Sequence, residues 1–183
     1  KGIGKIPKKV NKLLQVKTQK LLNDLPMYLK GIGRTLESMP GKKAIFVILD
    51  SDDADCAELK KDLVEMYEKL GVTVDVYFCI AIEEMEAWLL GDEKAIEEAY
   101  PQAKMPLLRK YVQDSIVGTW EYLADVVYSG GVNALKKKAE AYYEIGLFKC
   151  ECAGNIGMYL NIHENKSPSF NYFINKLNEF CEV

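Results

Sequence analysis

The sequence predicts an α/β domain built on a parallel sheet flanked by helices. A basic, mostly helical lead-in occupies 1–43, the α/β core 44–101, and a mainly helical part 102–183 packs on that core. Three observations carry this expectation. Ala44–Leu49 is apolar at all six positions, Cys56 to Leu70 is amphipathic, and Val72 to Ala81 is rich in Val, Thr, Tyr and Phe. An uninterrupted apolar strand signifies burial on both faces, as parallel sheets covered by helices require. Strand, helix and strand in succession form a βαβ unit.

In the lead-in, Val10, Leu13, Leu14, Leu21, Leu22 and Leu25 share one stripe, which predicts a helix over Lys9–Leu25. Pro26 is expected to break or restart the chain, and Gly31 and Gly33 to mark a loop. Lys-Gly-Ile-Gly stands at Lys1 and again at Lys30, too short to be a structural repeat and without the Gly-Lys-Ser/Thr ending of a phosphate-binding loop. The first residue is Lys1 rather than Met, and residues upstream of it are expected.

The net charge of -3 conceals a strong asymmetry. Lys1–Lys43 holds 11 Lys/Arg against Asp24 and Glu37, while the remainder holds 13 Lys/Arg against 25 acids. A basic arm beside an acidic centre suits a polyanion, since Lys and Arg neutralise phosphates. The competing explanation is a solvated helix face.

In the core, Cys56, Leu59, Leu63, Tyr67 and Leu70 recur at spacings of 3, 4, 4 and 3, one face of a helix, with Gly71 as its C-terminal cap. Asp92 is the expected N-cap of a short helix over Glu93–Tyr100, stopped by Pro101. Further on, Ser129-Gly130-Gly131 is a break and Asn133–Tyr143 a helix. Ser167 caps a last helix with Pro168 at its first position. Phe170, Phe173, Ile174, Leu177 and Phe180 give that helix an apolar stripe that docks on the body.

A composition of 49% hydrophobic and 28% charged residues excludes a disordered chain, and no apolar run approaches the ~20 residues of a membrane-spanning helix. The five cysteines are odd in number and scattered, which fits reduced thiols in the cytoplasm. Cys150 and Cys152 with His163 and Cys181 lack the paired spacing of a zinc site.

The chemistry concentrates where the two strands end. Ligands of open parallel sheets bind at the carboxyl ends of the strands. Asp50 and Asp52 follow the first strand; Glu83, Glu84 and Glu86 follow the second. In extended chain, residues i and i+2 point the same way, so Asp50 and Asp52 could converge on a hard cation such as Mg²⁺. Glu84 or Glu86 would add a ligand or a general base. Capping competes with this reading: acids favour helix N-termini, and Asp53 or Asp55 fills that role. Trp88 is expected in the core rather than stacked on a base, and His163 at the surface. No nucleophile motif accompanies His163, so a Ser-His-Asp or Cys-His hydrolase has no support.

The run from Phe46 through Asp50-Ser51-Asp52-Asp53-Ala54-Asp55-Cys56 to Lys60, then Ile82-Glu83-Glu84-Met85-Glu86-Ala87-Trp88, resembles the DUF4276 family of TOPRIM-like proteins. Asn165–Phe170 and the Lys/Gly-rich opening are similar too, so the resemblance spans most of the chain. It implies a TOPRIM-like, Rossmann-like sheet with a C-terminal helical extension, and acids that hold Mg²⁺ or Mn²⁺ for phosphodiester chemistry. The family's D-x-D falls on Asp50 and Asp52, and its E-x-E-x-W region on Glu84, Glu86 and Trp88. TOPRIM domains also place a catalytic Glu after an earlier strand. None precedes the first helix here, so that strand is expected upstream of Lys1, or the site is incomplete.

The leading function is therefore metal-dependent cleavage of nucleic acid in the cytoplasm, in the setting of phage or mobile-element defence that the resemblance implies. Asp50 and Asp52 would bind metal, Glu84 and Glu86 would be catalytic, and Lys8, Lys9 and Lys12 would hold phosphates. A non-catalytic nucleic-acid or partner-binding module working with an ATPase is the alternative, and a hydrolase of small phosphate compounds a third.

Overall fold

A computed structural model describes residues 18–138 and 141–181. It is mixed α/β, with a two-stranded parallel sheet flanked by helices. The elements are α1 (Thr18–Glu37), β1 (Ala44–Asp50), α2 (Cys56–Glu68), β2 (Asp75–Ala81), α3 (Glu86–Leu90), α4 (Glu93–Ala99), α5 (Met105–Leu108), α6 (Thr119–Val127), α7 (Gly131–Lys136), α8 (Ala141–Gly157) and α9 (Pro168–Cys181). Among the described residues no helix is long and apolar enough to cross a membrane.

β1 and β2 pair in register from Ala44↔Asp75 to Asp50↔Ala81. Because side chains alternate across a pleated sheet, each strand serves two cores. On one face Val47, Leu49, Phe78 and Ile80 pack with Leu25 and Leu29 of α1 and Leu63 and Tyr67 of α2. On the other, Phe46 meets Phe173 and Phe180 of α9 edge-on, at centroid distances of 6.3 and 5.9 Å. A separate helical core joins α3 to α8, with Leu90, Ile96, Leu123, Leu135 and Ile156 fully buried.

Several expectations need correction. Pro26 does not break the chain, and Gly31 and Gly33 form no loop: α1 runs through all three. A proline inside a helix costs about 3 kcal/mol, but burying Leu25 and Leu29 on either side of it returns about as much or more. Gly33 is needed for a close approach, since a Cβ there would lie 2.3 Å from Cγ1 of Val72. The part of the expected Lys9–Leu25 helix before Thr18 lies outside the described residues.

β1 is not buried on both faces throughout. Among the described residues it has one neighbouring strand, and Ile48 stays 41% exposed. β2 starts at Asp75 rather than Val72. Lys69 takes the C-cap of α2, and Gly71 follows two residues later with φ +62. The helix expected over Asn133–Tyr143 is divided between α7, ending at Lys136, and α8, starting at Ala141.

The N-caps read from sequence stand. Asp55 accepts from the N–H groups of Ala57 and Glu58, Asp92 from Ala95, and Ser167 Oγ from Phe170.

Candidate functional site

The carboxyl ends of β1 and β2 turn out through two mutually bonded, left-handed residues. Asp52 has φ +47 and Glu83 φ +61, a region where non-glycine residues are uncommon and strain gathers at functional sites. The Asp52 N–H donates to the Glu83 carbonyl at 3.0 Å, and the Glu83 N–H to Ser51 Oγ at 2.8 Å. Ser51 is buried, so this lock fixes where the acids on either side of it point.

Glu83 itself is committed to structure. Its carboxylate accepts the N–H groups of Val117, Gly118 and Thr119 at 3.2, 2.9 and 2.9 Å, together with the Thr119 hydroxyl. It thereby sits at the N-terminus of α6, where negative charge is favoured. Burial works to raise its pKa, but the Thr119 hydroxyl and these backbone donors outweigh it and hold the carboxyl below its ordinary value.

Asp50, Glu84 and Glu86 gather around Lys149 of α8. The ammonium of Lys149 donates to Glu84 Oε1 at 2.9 Å and lies 3.5 Å from Glu86 Oε2. Glu84 Oε2 accepts the backbone N–H of Trp120 at 3.2 Å. Asp50 Oδ1 is buried and, among the described residues, has no hydrogen-bond partner. Burial, then Glu86 and Glu84, push the Asp50 carboxyl up to about 6, although Lys149 pulls the other way. Burial also raises Glu86, whose side chain is only 9% exposed. On Lys149, burial opposes the charge, but Glu86 and Glu84 outweigh it and raise the pKa.

Asp52 stands differently from expectation. β1 ends at Asp50 and the chain turns at once, so the extended-chain alternation argument does not apply to Asp52. Its side chain is exposed, and its charge is the weakest of the influences named on Asp50. The fold thus brings Asp50 to Glu84 and Glu86 and leaves Asp52 at the rim. Lys8, Lys9 and Lys12 lie outside the described residues.

Mg²⁺ keeps several waters and commonly takes one or two protein carboxylates together with substrate phosphates. An orphaned, buried Asp50 oxygen beside two glutamates fits that mode of binding. A complete protein cage is not built here: among the described residues no group of three or more His, Cys, Asp and Glu is arranged to hold a metal ion. The acids also sit apart from two open clefts. Neither a cleft of about 280 Å³ at Lys43 and Asp75 nor one of about 270 Å³ between Cys56 and Tyr172 is lined by them.

A family model, the domain of unknown function DUF4276, matches residues 1–178. The chain belongs to the DUF4276 family. No curated protein and no solved structure matches it.

In this DUF4276 chain the two tryptophans have separate surroundings. Trp88 is core, as expected: it is 5% exposed, stacks on Phe173 at 5.4 Å and donates its indole N–H to Ser169 at 2.8 Å. Trp120 lies half-buried beside the acids, with the ammonium groups of Lys136 and Lys149 5.1 and 6.0 Å from its ring centroid. Sequence reasoning missed both Trp120 and Lys149. Each belongs to a helix far along the chain from the strand ends, and no local motif announces it. His163 is exposed, as are Cys150 and Cys181, while Cys152 is buried.

Proposed function

We propose that this DUF4276 chain cleaves phosphodiester bonds of nucleic acid with a divalent cation, Mg²⁺ or Mn²⁺, on a TOPRIM-like, Rossmann-like sheet. The observation that carries the reading is the buried Asp50 oxygen at the carboxyl end of a parallel strand, without a hydrogen-bond partner among the described residues and with a pKa raised by burial and then by Glu86 and Glu84. Perturbed carboxyls gathered at a strand end are where catalytic sites form in open sheets.

Asp50 would hold the cation, with Glu84 or Glu86 beside it and Asp52 reaching in from the rim. When bound, the cation supplies Lewis-acid polarisation of a phosphate and a more acidic water. Glu86, raised by burial, is suited to take a proton from an attacking water. Lys149 keeps Glu84 and Glu86 oriented and brings positive charge near the place where phosphate charge would build. Lys8, Lys9 and Lys12 would grip phosphates further along the strand, each by charge neutralisation.

One observation favours a second reading. Lys149 already neutralises Glu84 and Glu86, so the cluster balances much of its charge without a metal. On that reading the chain binds nucleic acid, or a partner such as an ATPase, without cutting.

The test incubates wild-type protein and an Asp50→Asn/Asp52→Asn variant with single- and double-stranded DNA and RNA, in Mg²⁺, Mn²⁺ or EDTA. Metal-dependent cleavage that the variant lacks establishes the enzyme. Binding without cleavage by the wild type moves the account to the second reading.

A further inference from the structure

β1 lies at an edge of the sheet, and its sequence carries none of the devices that usually close one. Strand edges are blunted by charge, Pro, a bulge or a covering element. Ala44–Leu49 holds neither charge nor Pro, and its ladder to β2 runs without a bulge from Ala44↔Asp75 to Asp50↔Ala81. The Ser51 N–H donates to the Ala81 carbonyl at 2.9 Å, and successive residues of a strand offer their backbone groups to alternate sides. The N–H and C=O groups of Ala44, Phe46, Ile48 and Asp50 therefore point away from β2. Among the described residues no strand lies on that side and these groups have no backbone partner. Ile48, on the same face of the strand as Phe46, is exposed there.

The two ends of this strand are opposite in charge. Lys42 and Lys43 precede it, and Asp50, Asp52 and Asp53 close it. The lysines reach carbonyls only, Lys42 that of Glu179 at 3.4 Å and Lys43 those of Glu37 and Met39. Among the described residues no ion pair includes Lys42, Lys43, Asp52 or Asp53. A strand with a basic start and an acidic finish is complementary to its own reverse: a parallel neighbour sets like charges side by side, an antiparallel one sets lysines against aspartates. We propose that β1 pairs antiparallel with β1 of a second copy of this chain, joining two sheets about a two-fold axis. With the axis at Val47, Phe46 faces Ile48 of the second copy and Ala44 faces Asp50, so every outward backbone group of both strands is bonded. Each exposed Ile48 gains a phenyl neighbour across the joint. Past the strand end, Lys42 comes opposite Asp52 of the second copy and brings a cation to the rim of the acid site. The two acid clusters then lie at opposite ends of the joint, about 20 Å apart along the strands. The pairing stands independently of the nuclease reading.

The test follows the full chain in EDTA by sedimentation velocity over about 1–100 μM, where mass action shifts a monomer–dimer equilibrium. Wild type should become a dimer toward the upper end. Ile48→Lys, which places a charge on the open edge, should raise the dissociation constant about tenfold or more. Lys42→Glu sets acid against Asp52 at both ends of the joint and should weaken it about tenfold, and adding Asp52→Lys should restore it. Amide hydrogen exchange of the wild-type chain supplies a second measurement should a variant fold poorly. The N–H groups of Phe46 and Ile48 should be protected at the high concentration and exchange faster at the low one. A wild-type chain that stays monomeric throughout overturns the proposal. So does a dimer that Ile48→Lys leaves intact, one whose Phe46 and Ile48 amides exchange alike at both concentrations, or a charge-exchanged double variant as weak as Lys42→Glu alone.

Discussion

The ammonium of Lys149 donates to Glu84 Oε1 at 2.9 Å, joining α8 to the turn after β2 across 65 residues of sequence. The same nitrogen lies 3.5 Å from Glu86 Oε2, so one cation serves two carboxylates. This contact ties the helical part of the molecule to the acids at the sheet end.

Removing that cation leaves two partly buried carboxylates facing each other. Lys149→Met is expected to destabilise the metal-free protein by about 1–3 kcal/mol at pH 8, less than a fully buried pair because water reaches part of the cluster. Adding Glu84→Gln and Glu86→Gln should recover much of the loss. Urea denaturation of the single and combined variants measures the coupling, and unchanged stability in Lys149→Met would show the contact to be idle.

Asp50 predicts a pH dependence of the opposite sense to an ordinary ion-paired carboxylate. Its pKa is raised from 3.8 to about 6, so the folded state holds the proton more tightly than the unfolded state between those values. Stability therefore falls as pH rises through that window, and the cost is complete above it. Asp50→Asn should be more stable than wild type by about 1–2 kcal/mol at pH 8, after discounting for partial exposure. The difference should close near pH 4, and thermal melts across the range would show it.

Glu83 follows the opposite rule. Its folded pKa is depressed, so its stabilising effect is present above the unfolded value and lost as pH falls through the folded one. Glu83→Ala frees the N–H groups of Val117, Gly118 and Thr119 and should cost about 2 kcal/mol at neutral pH, less in acid. Hydrogen exchange should report faster opening at the start of α6 before the rest of the molecule loosens.

Gly91 sits where α3 meets the segment before α9. A Cβ there would fall 2.0 Å from Asn165 Oδ1, while Asn165 Nδ2 donates to the Trp88 carbonyl at 2.7 Å. Gly91→Ala must displace Asn165 and its buried bond, at a cost of about 2 kcal/mol or more. A denaturation midpoint indistinguishable from wild type would refute the close fit.

What the sequence disclosed was local chemistry. Asp55, Asp92 and Ser167 are caps because a short acceptor before an apolar stripe meets orphan N–H groups wherever the helix lies. Trp88 reads as core from the same kind of pattern. Pro26 misled because its cost is local whereas the gain from burying Leu25 and Leu29 is tertiary. Asp52 misled because strand alternation was extended one turn too far; a left-handed residue at the strand end redirects it. Lys149 and Trp120 were illegible for a stronger reason. Their places beside the acids come from the packing of α6 and α8 near the sheet end, and sequence spacing carries none of that proximity.

The most direct test is calorimetric titration of Mn²⁺ into the wild-type chain and into Asp50→Asn, at pH 7.5 and at pH 5, with melting temperatures followed in parallel. The account predicts that wild type binds the ion and melts higher at pH 7.5. Both effects should weaken at pH 5, where Asp50 carries a proton, and be largely lost in Asp50→Asn. No heat and no shift in melting temperature for the wild type in millimolar Mn²⁺ would contradict the claim that Asp50 and its neighbouring glutamates hold a divalent cation.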